Sequence, residues 1–146
     1  MNTLASLIEL LEPCPPHEAL VLPGYARKES SRVVWIGPAF AVKIDQQPHN
    51  LQNRREFEFY QRVPDRYRRF FPACYWLSPC DRYLIAEAVP RPHTHRNDWR
   101  PINRQRRFLS WCRQQGLDRY DLGKHDSWRF TADGQPKLVD FGAVAA

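Results

Sequence analysis

The chain has 146 residues, of which 42% are hydrophobic and 13% aromatic, and its formal net charge is +6. This apolar content is too high for a disordered chain, and no apolar run approaches the roughly 20 residues that a membrane-spanning helix needs. The length suits one folded unit, so we predict a single domain over residues 1–146 and no membrane partner.

The cysteines and the N-terminal segment favour an intracellular protein. Cys14, Cys74, Cys80 and Cys112 show no CxxC spacing and lie in or beside apolar segments. The N-terminal segment has no basic residues before its apolar part, which makes it a poor signal peptide. We therefore expect four reduced thiols and a cytoplasmic location.

The first half of the chain begins with a helix and continues with short strands. Apolar residues recur at helical spacing over residues 3–12, which predicts the helix. Residues 20–22 are a candidate strand. Residues 31–36 and 39–44 are stronger strand predictions, because apolar and β-branched residues cluster there around a Gly-Pro turn.

Lys43 stands out in the second of these strong strands. Alternation puts Lys43 on one face with Ala39 and Ala41, and larger apolar side chains on the other face. A cation on the small-residue face of a central strand needs an anion, because burying it unpaired costs several kcal/mol. The alternative is an edge-strand lysine whose ammonium group reaches solvent.

The next helix, predicted over residues 50–63, offers that anion. Asn50 is the predicted N-cap of this helix. Glu56 falls on the apolar stripe of the helix, whereas Glu58 lies on the Arg-rich outer face. We therefore predict a Lys43–Glu56 ion pair. The alternative places Glu56 at the edge of the stripe, paired with a neighbouring arginine.

The second half is predicted to contain two hairpins separated by a loop and a helix. The predicted elements are strands over 73–77 and 82–89, a loop over 90–101, a helix over 102–115 and strands over 128–131 and 137–139. His93 and His95 lie in the loop, and no second closely spaced ligand pair completes a zinc pattern with them.

The last hairpin is flanked by three carboxylates. Asp133-Gly134 is a strong signal for its turn. Asp121 and Asp126 precede the hairpin, and Asp140 follows it. Because a hairpin brings its ends together, we expect the three carboxylates to meet. Like charges collected this closely need a cation, and oxygen ligands suit Mg²⁺ or Mn²⁺.

This segment resembles the catalytic loop and metal-binding hairpin of the protein-kinase-like fold. In that family an Asp accepts the proton of the substrate hydroxyl, an Asn five residues on binds metal, and Asp-Phe-Gly closes the hairpin. Asp121, Asp126 and Asp140-Phe141-Gly142 fall on these positions. The resemblance implies ATP and Mg²⁺ (or Mn²⁺) as cofactors, with Asp126 and Asp140 as metal ligands and Asp121 as a catalytic residue.

The upstream elements extend the resemblance. The AVKI sequence around Lys43 is similar to the VAIK strand of the family, which implies that Lys43 binds phosphates and that Glu56 orients it. The strand that ends at Val89 resembles the hinge strand. By this resemblance, backbone groups around Glu87, Ala88 and Val89 would hold an adenine ring.

The implied fold is α+β and protein-kinase-like. Its N-lobe would span residues 18–89, with an antiparallel sheet and one main helix. Its reduced C-lobe would span residues 90–146, with a helix, the catalytic loop and the metal-binding hairpin. The chain stops four residues after Gly142, so the resemblance covers only the catalytic half of a full kinase.

Two departures from the family pattern concern the phosphates. The family covers the phosphates with a glycine-rich loop, whereas the corresponding GYARKESSRVV contains Gly24 alone. Ser30 and Ser31 are the candidates to offer backbone N–H groups there. Asp126 stands where the family has Asn, and Lys124 beside it is a candidate to neutralise charge or to touch the transferred phosphate.

Three functions therefore remain open. The first is a phosphotransferase of the protein-kinase type, directed at Ser or Thr of a protein substrate. The second is a pseudokinase, a nucleotide-binding module that regulates a protein partner without catalysis. The third is a basic protein that binds nucleic acid or an acidic partner, which arginine clusters interleaved with aromatic residues suggest. A solvated Arg-rich face is the alternative explanation of those clusters.

Overall fold

The structure, a computed structural model, describes residues 3–29, 31–47, 51–117 and 119–141. It has an α+β architecture, with a five-stranded antiparallel sheet, a three-stranded antiparallel sheet and several helices. Across the described ranges, no helix is long and apolar enough to cross a membrane.

The larger sheet carries the predicted lysine on its central strand. Its strands are Ala26–Glu29 (β1), Val33–Ile36 (β2), Phe40–Ile44 (β3), Cys74–Leu77 (β4) and Tyr83–Glu87 (β5). Their spatial order is β1-β2-β3-β5-β4. Lys43 of β3 lies opposite Val34 on one side and Leu84 on the other. The alternative of an edge-strand lysine is therefore wrong.

The strand predicted at residues 20–22 does not form. Leu20 and Leu22 are buried and Val21 is 69% exposed, so the apolar residues there alternate between core and solvent outside any described strand. The sheet begins instead at β1, whose four residues are all exposed. Without a hydrophobic alternation, β1 carries no strand signal in the sequence.

Five α-helices are described, and two of them divide a segment that was predicted as one helix. They are Leu4–Leu11 (α1), Gln52–Arg62 (α2), Trp99–Asn103 (α3), Arg106–Gln114 (α4) and Arg119–Gly123 (α5). The single helix predicted over residues 102–115 is wrong, because Gln105 leaves helical geometry between α3 and α4 (φ −89°, ψ 57°). The predicted N-cap Asn50 lies outside the described residues.

Short 3-10 helices and a second sheet complete the chain. The 3-10 helices are His17–Ala19, Asp65–Phe70, Arg96–Asp98 and His125–Ser127. The second sheet consists of Arg91–Pro92 (β6), Trp128–Phe130 (β7) and Pro136–Leu138 (β8), in that order. The predicted hairpin is confirmed, and Gly134 adopts the positive φ (92°) that its turn requires. The pairing of β6 with β7 was not predicted, and it brings the segment after β5 against this hairpin.

Two hydrophobic clusters lie on opposite faces of the larger sheet. Tyr83 and Ile85 of β5 pack in a cluster with α1, whereas Leu84 between them packs in a cluster with α2, α4 and the β7–β8 hairpin. Phe141 is buried in the second cluster, with its ring centroid 4.9 Å from that of Phe71. This cluster anchors the end of the hairpin against the helical side of the sheet.

A disulfide joins Cys14 to Cys80, so the prediction of reduced thiols is wrong for these two residues. Cys14 follows α1 and Cys80 lies in the β4–β5 turn, and their Cα atoms are 6.3 Å apart. Cys74 and Cys112 are free and buried, as predicted, and burial raises the pKa of both thiols to about 12. Disulfides persist mainly in oxidising compartments, so the cysteines no longer support a cytoplasmic location.

Replacing Cys14 and Cys80 together with serine should destabilise the fold. The disulfide spans 66 residues, and closing a loop of that length restricts the unfolded chain by about 4 kcal/mol on the chain-entropy estimate. We expect the double variant to lose about 2–4 kcal/mol of unfolding free energy in urea titrations. A reductant should destabilise the parent and leave the variant unchanged. Equal stability of the two proteins would contradict this expectation.

Candidate functional site

A cavity of about 210 Å³ lies between the larger sheet and the β7–β8 hairpin. Val34, Ile36, Ala41 and Val89 contribute apolar walls. The polar and charged side chains that line it are Lys28, Ser31, Arg32, Lys43, Glu87, His93, Lys124, His125, Asp126, Arg129 and Asp140. Most of the side chains predicted to form the site therefore face one cavity. Ser30 lies outside the described residues.

The predicted pair of Lys43 and Glu56 is formed and buried. Lys43 is 6% exposed and Glu56 is fully buried. The ammonium group of Lys43 donates to the Glu56 carboxylate, and Nζ also donates to the backbone oxygen of Val139 at 2.9 Å. Lys43 therefore connects the central strand both to α2 and to the residue before Asp140.

Arg32 is a second cation on Glu56, and sequence reasoning missed it. Its Nη1 donates to Glu56 Oε2 and, at 2.8 Å, to Asn53 Oδ1. One sequence signal was available, since alternation along β2 places Arg32 on the face of Val34 and Ile36, which line the cavity. The other arginines of this Arg-rich chain masked that signal.

The charges in this cluster stabilise one another. Burial alone would raise the pKa of Glu56, but Arg32 and Lys43 outweigh burial, and the pKa lies below its ordinary value. Burial alone would lower the pKa of Arg32, but the charge and hydrogen bond of Glu56, together with the charges of Asp140 and Asp45, outweigh burial and raise it. Glu56 therefore stays ionised and Arg32 stays protonated at neutral pH.

Asn53 fixes the start of α2 against the end of β3. Its side-chain amide donates to the backbone oxygens of Lys43 (2.9 Å) and Arg82 (2.7 Å), and its own N–H donates to Asp45 Oδ2 (2.7 Å). Since Asn53 lies one helical turn before Glu56, these bonds set the position of Glu56 beneath Lys43.

Two of the three predicted carboxylates share the cavity. Asp126 and Asp140 both line it, with side chains 58% and 50% exposed. Asp121, described in α5, is not among the lining residues. The hairpin ends meet at Ser127 and Val139, where Val139 N donates to Ser127 O at 2.8 Å. Asp126 and Asp140 flank that contact, whereas Asp121 lies in a helix further upstream.

Each of these two carboxylates has a basic neighbour. His125 Nε2 lies 3.0 Å from Asp126 Oδ1, and Arg32 Nη2 lies 3.9 Å from Asp140 Oδ1. In the described part of the chain, no group of three or more His, Cys, Asp or Glu side chains could hold a metal ion. A pair of carboxylates still suits Mg²⁺, which often binds through one or two carboxylates together with substrate phosphates and water. Asp126 and Asp140 are the residues that could hold it.

The predicted hinge is partly engaged within the protein. Glu87 and Val89 line the cavity, and Ala88 does not. The N–H groups of Glu87 and Ala88 donate to other backbone carbonyls, at 2.8 and 3.1 Å, and Arg129 Nε donates to the Val89 carbonyl at 2.6 Å. An adenine ring at this strand would have to use its remaining backbone groups.

His93 is another lining residue whose position the sequence did not predict. It is 5% exposed, and its ring centroid lies 4.3 Å from that of Trp99. Among the described residues its Nε2 has no hydrogen-bond partner. Burial lowers the pKa of His93, which favours the neutral ring. Lys124, the last predicted site residue, also lines the cavity, with Nζ 5.7 Å from the Tyr120 ring centroid.

Replacing Glu56 with glutamine should strongly destabilise the fold, because Lys43 and Arg32 would remain buried without their shared anion. We expect a loss of about 3–5 kcal/mol of unfolding free energy in urea titrations. Glu58→Gln is the matched control, since Glu58 lies on the same helix in an exposed pair with Arg54, and we expect little change there.

The parent and Glu56→Gln also provide a test by pH. Because the folded protein lowers the pKa of Glu56, its stabilising contribution is present above the ordinary pKa of a glutamate and is lost as pH falls through the lowered value. The stability difference between the parent and Glu56→Gln should therefore shrink in acid. A difference that stays constant down to strongly acidic pH would contradict this account of Glu56.

Comparison with known proteins assigns no family to this chain. No protein-family model, curated protein or solved structure matches this chain.

Proposed function

We propose that the chain is an ATP-dependent phosphotransferase of the protein-kinase type, directed at Ser or Thr hydroxyl groups of a protein substrate. One observation carries this proposal: the buried Lys43–Glu56 pair opens onto the same cavity as Asp126 and Asp140. Phosphoryl transfer depends on positioning and on charge stabilisation more than on covalent chemistry by the protein. Lys43 can bind phosphates and the two carboxylates can bind a metal ion, so this cavity meets that need.

Each residue has a definite role in this proposal. Lys43 holds the phosphates, and Glu56 keeps its ammonium group in place. Asp126 and Asp140 hold Mg²⁺, which when bound neutralises charge on the phosphate oxygens. Lys124 adds positive charge on the hairpin side of the cavity. Asp121 keeps the role that the family resemblance gives it, which is to position the substrate hydroxyl.

The order of the elements also supports the proposal. The strand of Lys43 is followed by the helix of Glu56, then by the β4–β5 hairpin, and finally by the β7–β8 hairpin that leads to Asp140. This is the order that the kinase-like resemblance implies for an N-lobe and a reduced C-lobe. Gly142 of the Asp-Phe-Gly sequence lies outside the described residues.

A pseudokinase is the second candidate, and two observations favour it. Asp121 does not line the cavity, and the cavity volume of about 210 Å³ is below the roughly 300–1,000 Å³ of typical ligand pockets. In this version the chain binds a nucleotide and regulates a protein partner without transferring a phosphoryl group.

The arginine clusters behind the nucleic-acid candidate have a packing explanation. The guanidinium carbons of Arg66 and Arg69 lie 4.8 and 4.6 Å from the ring centroids of Tyr67 and Phe70. Phe70 is buried in the core. Since these arginines cover rings that pack the fold, they match the solvated face that was the alternative to nucleic-acid binding.

Thermal unfolding with and without ATP·Mg²⁺ tests the nucleotide site. At 100 times the Kd, a ligand should stabilise the parent by about 2.7 kcal/mol. Lys43→Ala and Asp140→Ala should lose most of this gain, because they remove the phosphate cation and the metal ligand. Asp133→Asn is the control, since Asp133 lies at the tip of the same hairpin and does not line the cavity. A parent that ATP·Mg²⁺ leaves unchanged would contradict the proposal.

Transfer of labelled phosphate to a generic Ser/Thr substrate, or to the chain itself, separates the two candidates. The kinase proposal expects transfer by the parent and a loss of at least about 100-fold in Asp121→Ala. Nucleotide binding without any transfer by the parent would favour the pseudokinase.

A further inference from the structure

The turn between β1 and β2 carries a buried arginine in the region where the kinase resemblance expects glycines. Arg32 directly precedes β2, and its side chain is 5% exposed and lines the cavity. A glycine-rich loop binds phosphates through backbone N–H groups, which its lack of side chains allows to approach closely. This turn offers a guanidinium instead.

Arg32 exceeds what Glu56 needs for neutralisation. Lys43 already pairs with Glu56, so Arg32 adds a second buried positive charge to a single carboxylate. A buried charge without a matching anion is costly. Asp45, a buried carboxylate that accepts a hydrogen bond from the Asn53 backbone, also acts on Arg32 through its charge. Asp140, at 3.9 Å from Nη2, is the anion of Arg32 on the cavity side.

The guanidinium is oriented for a ligand on that side. Nη1 donates to Glu56 and Asn53, and these two hydrogen bonds fix the orientation of the guanidinium plane. Nη2 points toward Asp140 across the cavity edge. Both hydrogens of Nη1 are used by Glu56 and Asn53, so a phosphate oxygen would bind at Nη2. A group already held in place loses little entropy on binding.

The charge balance of the cavity also favours a polyanion. Its lining contains five cationic side chains and three acidic ones. The cations are Lys28, Arg32, Lys43, Lys124 and Arg129, and the acids are Glu87, Asp126 and Asp140. Glu87 already pairs with Lys137 at 2.9 Å, and the buried carboxylates of Glu56 and Asp45 offset Arg32 and Lys43. The remaining lining has one more cation than acid: Lys28, Lys124 and Arg129 against Asp126 and Asp140.

We propose that Arg32 is a phosphate-binding residue that takes the place of the glycine-rich loop, so that Arg32 and Lys43 together hold the polyphosphate of a nucleoside di- or triphosphate. This inference rests on the proposed function and adds a ligand contact to its site. On binding, a phosphate oxygen replaces Asp140 as the partner of Nη2. The ion pair with Asp140 is then the resting arrangement of the ligand-free chain.

Isothermal titration with sodium tripolyphosphate, without Mg²⁺, tests this assignment. Arg32→Gln should bind tripolyphosphate roughly 10- to 100-fold more weakly than the parent, which is the loss of a charged hydrogen-bonding partner. Arg27→Gln is the matched control, because Arg27 lies on the neighbouring strand β1 in an exposed pair with Glu29. We expect its affinity to stay within about twofold.

Arg32→Lys keeps the charge but loses the planar group that can bind Glu56, Asn53 and a phosphate oxygen at once, so it should bind tripolyphosphate about threefold to tenfold more weakly. If Arg32→Gln does not fold, this variant decides the question. Parent-like affinity in every folded Arg32 variant overturns the assignment, and so does a parent that does not bind tripolyphosphate.

The result is distinguishable from a failure of the proposed function. A parent that binds tripolyphosphate through Arg32 but transfers no phosphate from ATP keeps the phosphate site and loses the kinase. A parent that transfers phosphate while Arg32→Gln binds tripolyphosphate normally keeps the kinase and overturns the role of Arg32.

Discussion

The structure of the site depends on one buried carboxylate. Glu56 has no solvent contact, and it accepts hydrogen bonds from the ammonium group of Lys43 on β3 and from the guanidinium of Arg32, which directly precedes β2. Ion pairs at this depth contribute little net stability compared with apolar packing, yet removing one member is costly. The arrangement therefore enforces one position of α2 against the sheet. A fixed position of α2 matters more for holding Lys43 and Arg32 at a binding site than for the free energy of unfolding.

The same cluster links the sheet to the β7–β8 hairpin, although the two are far apart in sequence. Lys43 bonds to the backbone of Val139, and Phe141 packs on Phe59 of α2 and on Phe71. Asp140 lies between these two anchors, so its carboxylate is half-exposed while its backbone is fixed on both sides. A residue held in this way can meet a ligand without reordering the chain, which lowers the entropic cost of binding.

Periodicity predicted much of the fold and the centre of the site. Alternation along β3 located Lys43 on the small-residue face, and helical spacing selected Glu56 over Glu58. Both signals are local, and both residues were found in contact. The Asp-Gly turn likewise identified the β7–β8 hairpin and, through its ends, the proximity of Asp126 and Asp140.

The features that sequence reasoning missed have non-local or weak local signals. β1 is fully exposed and owes its strand geometry to pairing with β2. The partner of Cys14 lies 66 residues away, and no spacing rule reports such a distance. His93 is buried next to β6, which pairs with β7. β6 has only two residues, and so short a strand leaves no recognisable pattern in the sequence. Asp121 was expected at the cavity because a hairpin brings its ends together, but it lies in α5, upstream of the hairpin, and is not among the lining residues.

The disulfide closes one part of the chain into a covalent ring and leaves the rest linear, and residues of both parts line the cavity. Residues 14–80 form a closed ring, and that ring contains Arg32, Lys43 and Glu56. The residues after Cys80, which include Asp126 and Asp140, are covalently attached to the ring only through Cys80. Three of the five cationic lining residues, Lys28, Arg32 and Lys43, therefore lie in the cyclic segment, and all three acidic lining residues lie in the linear one. Local opening of the hairpin that carries Asp126 and Asp140 would leave the pairs of Glu56 with Lys43 and Arg32 within the ring.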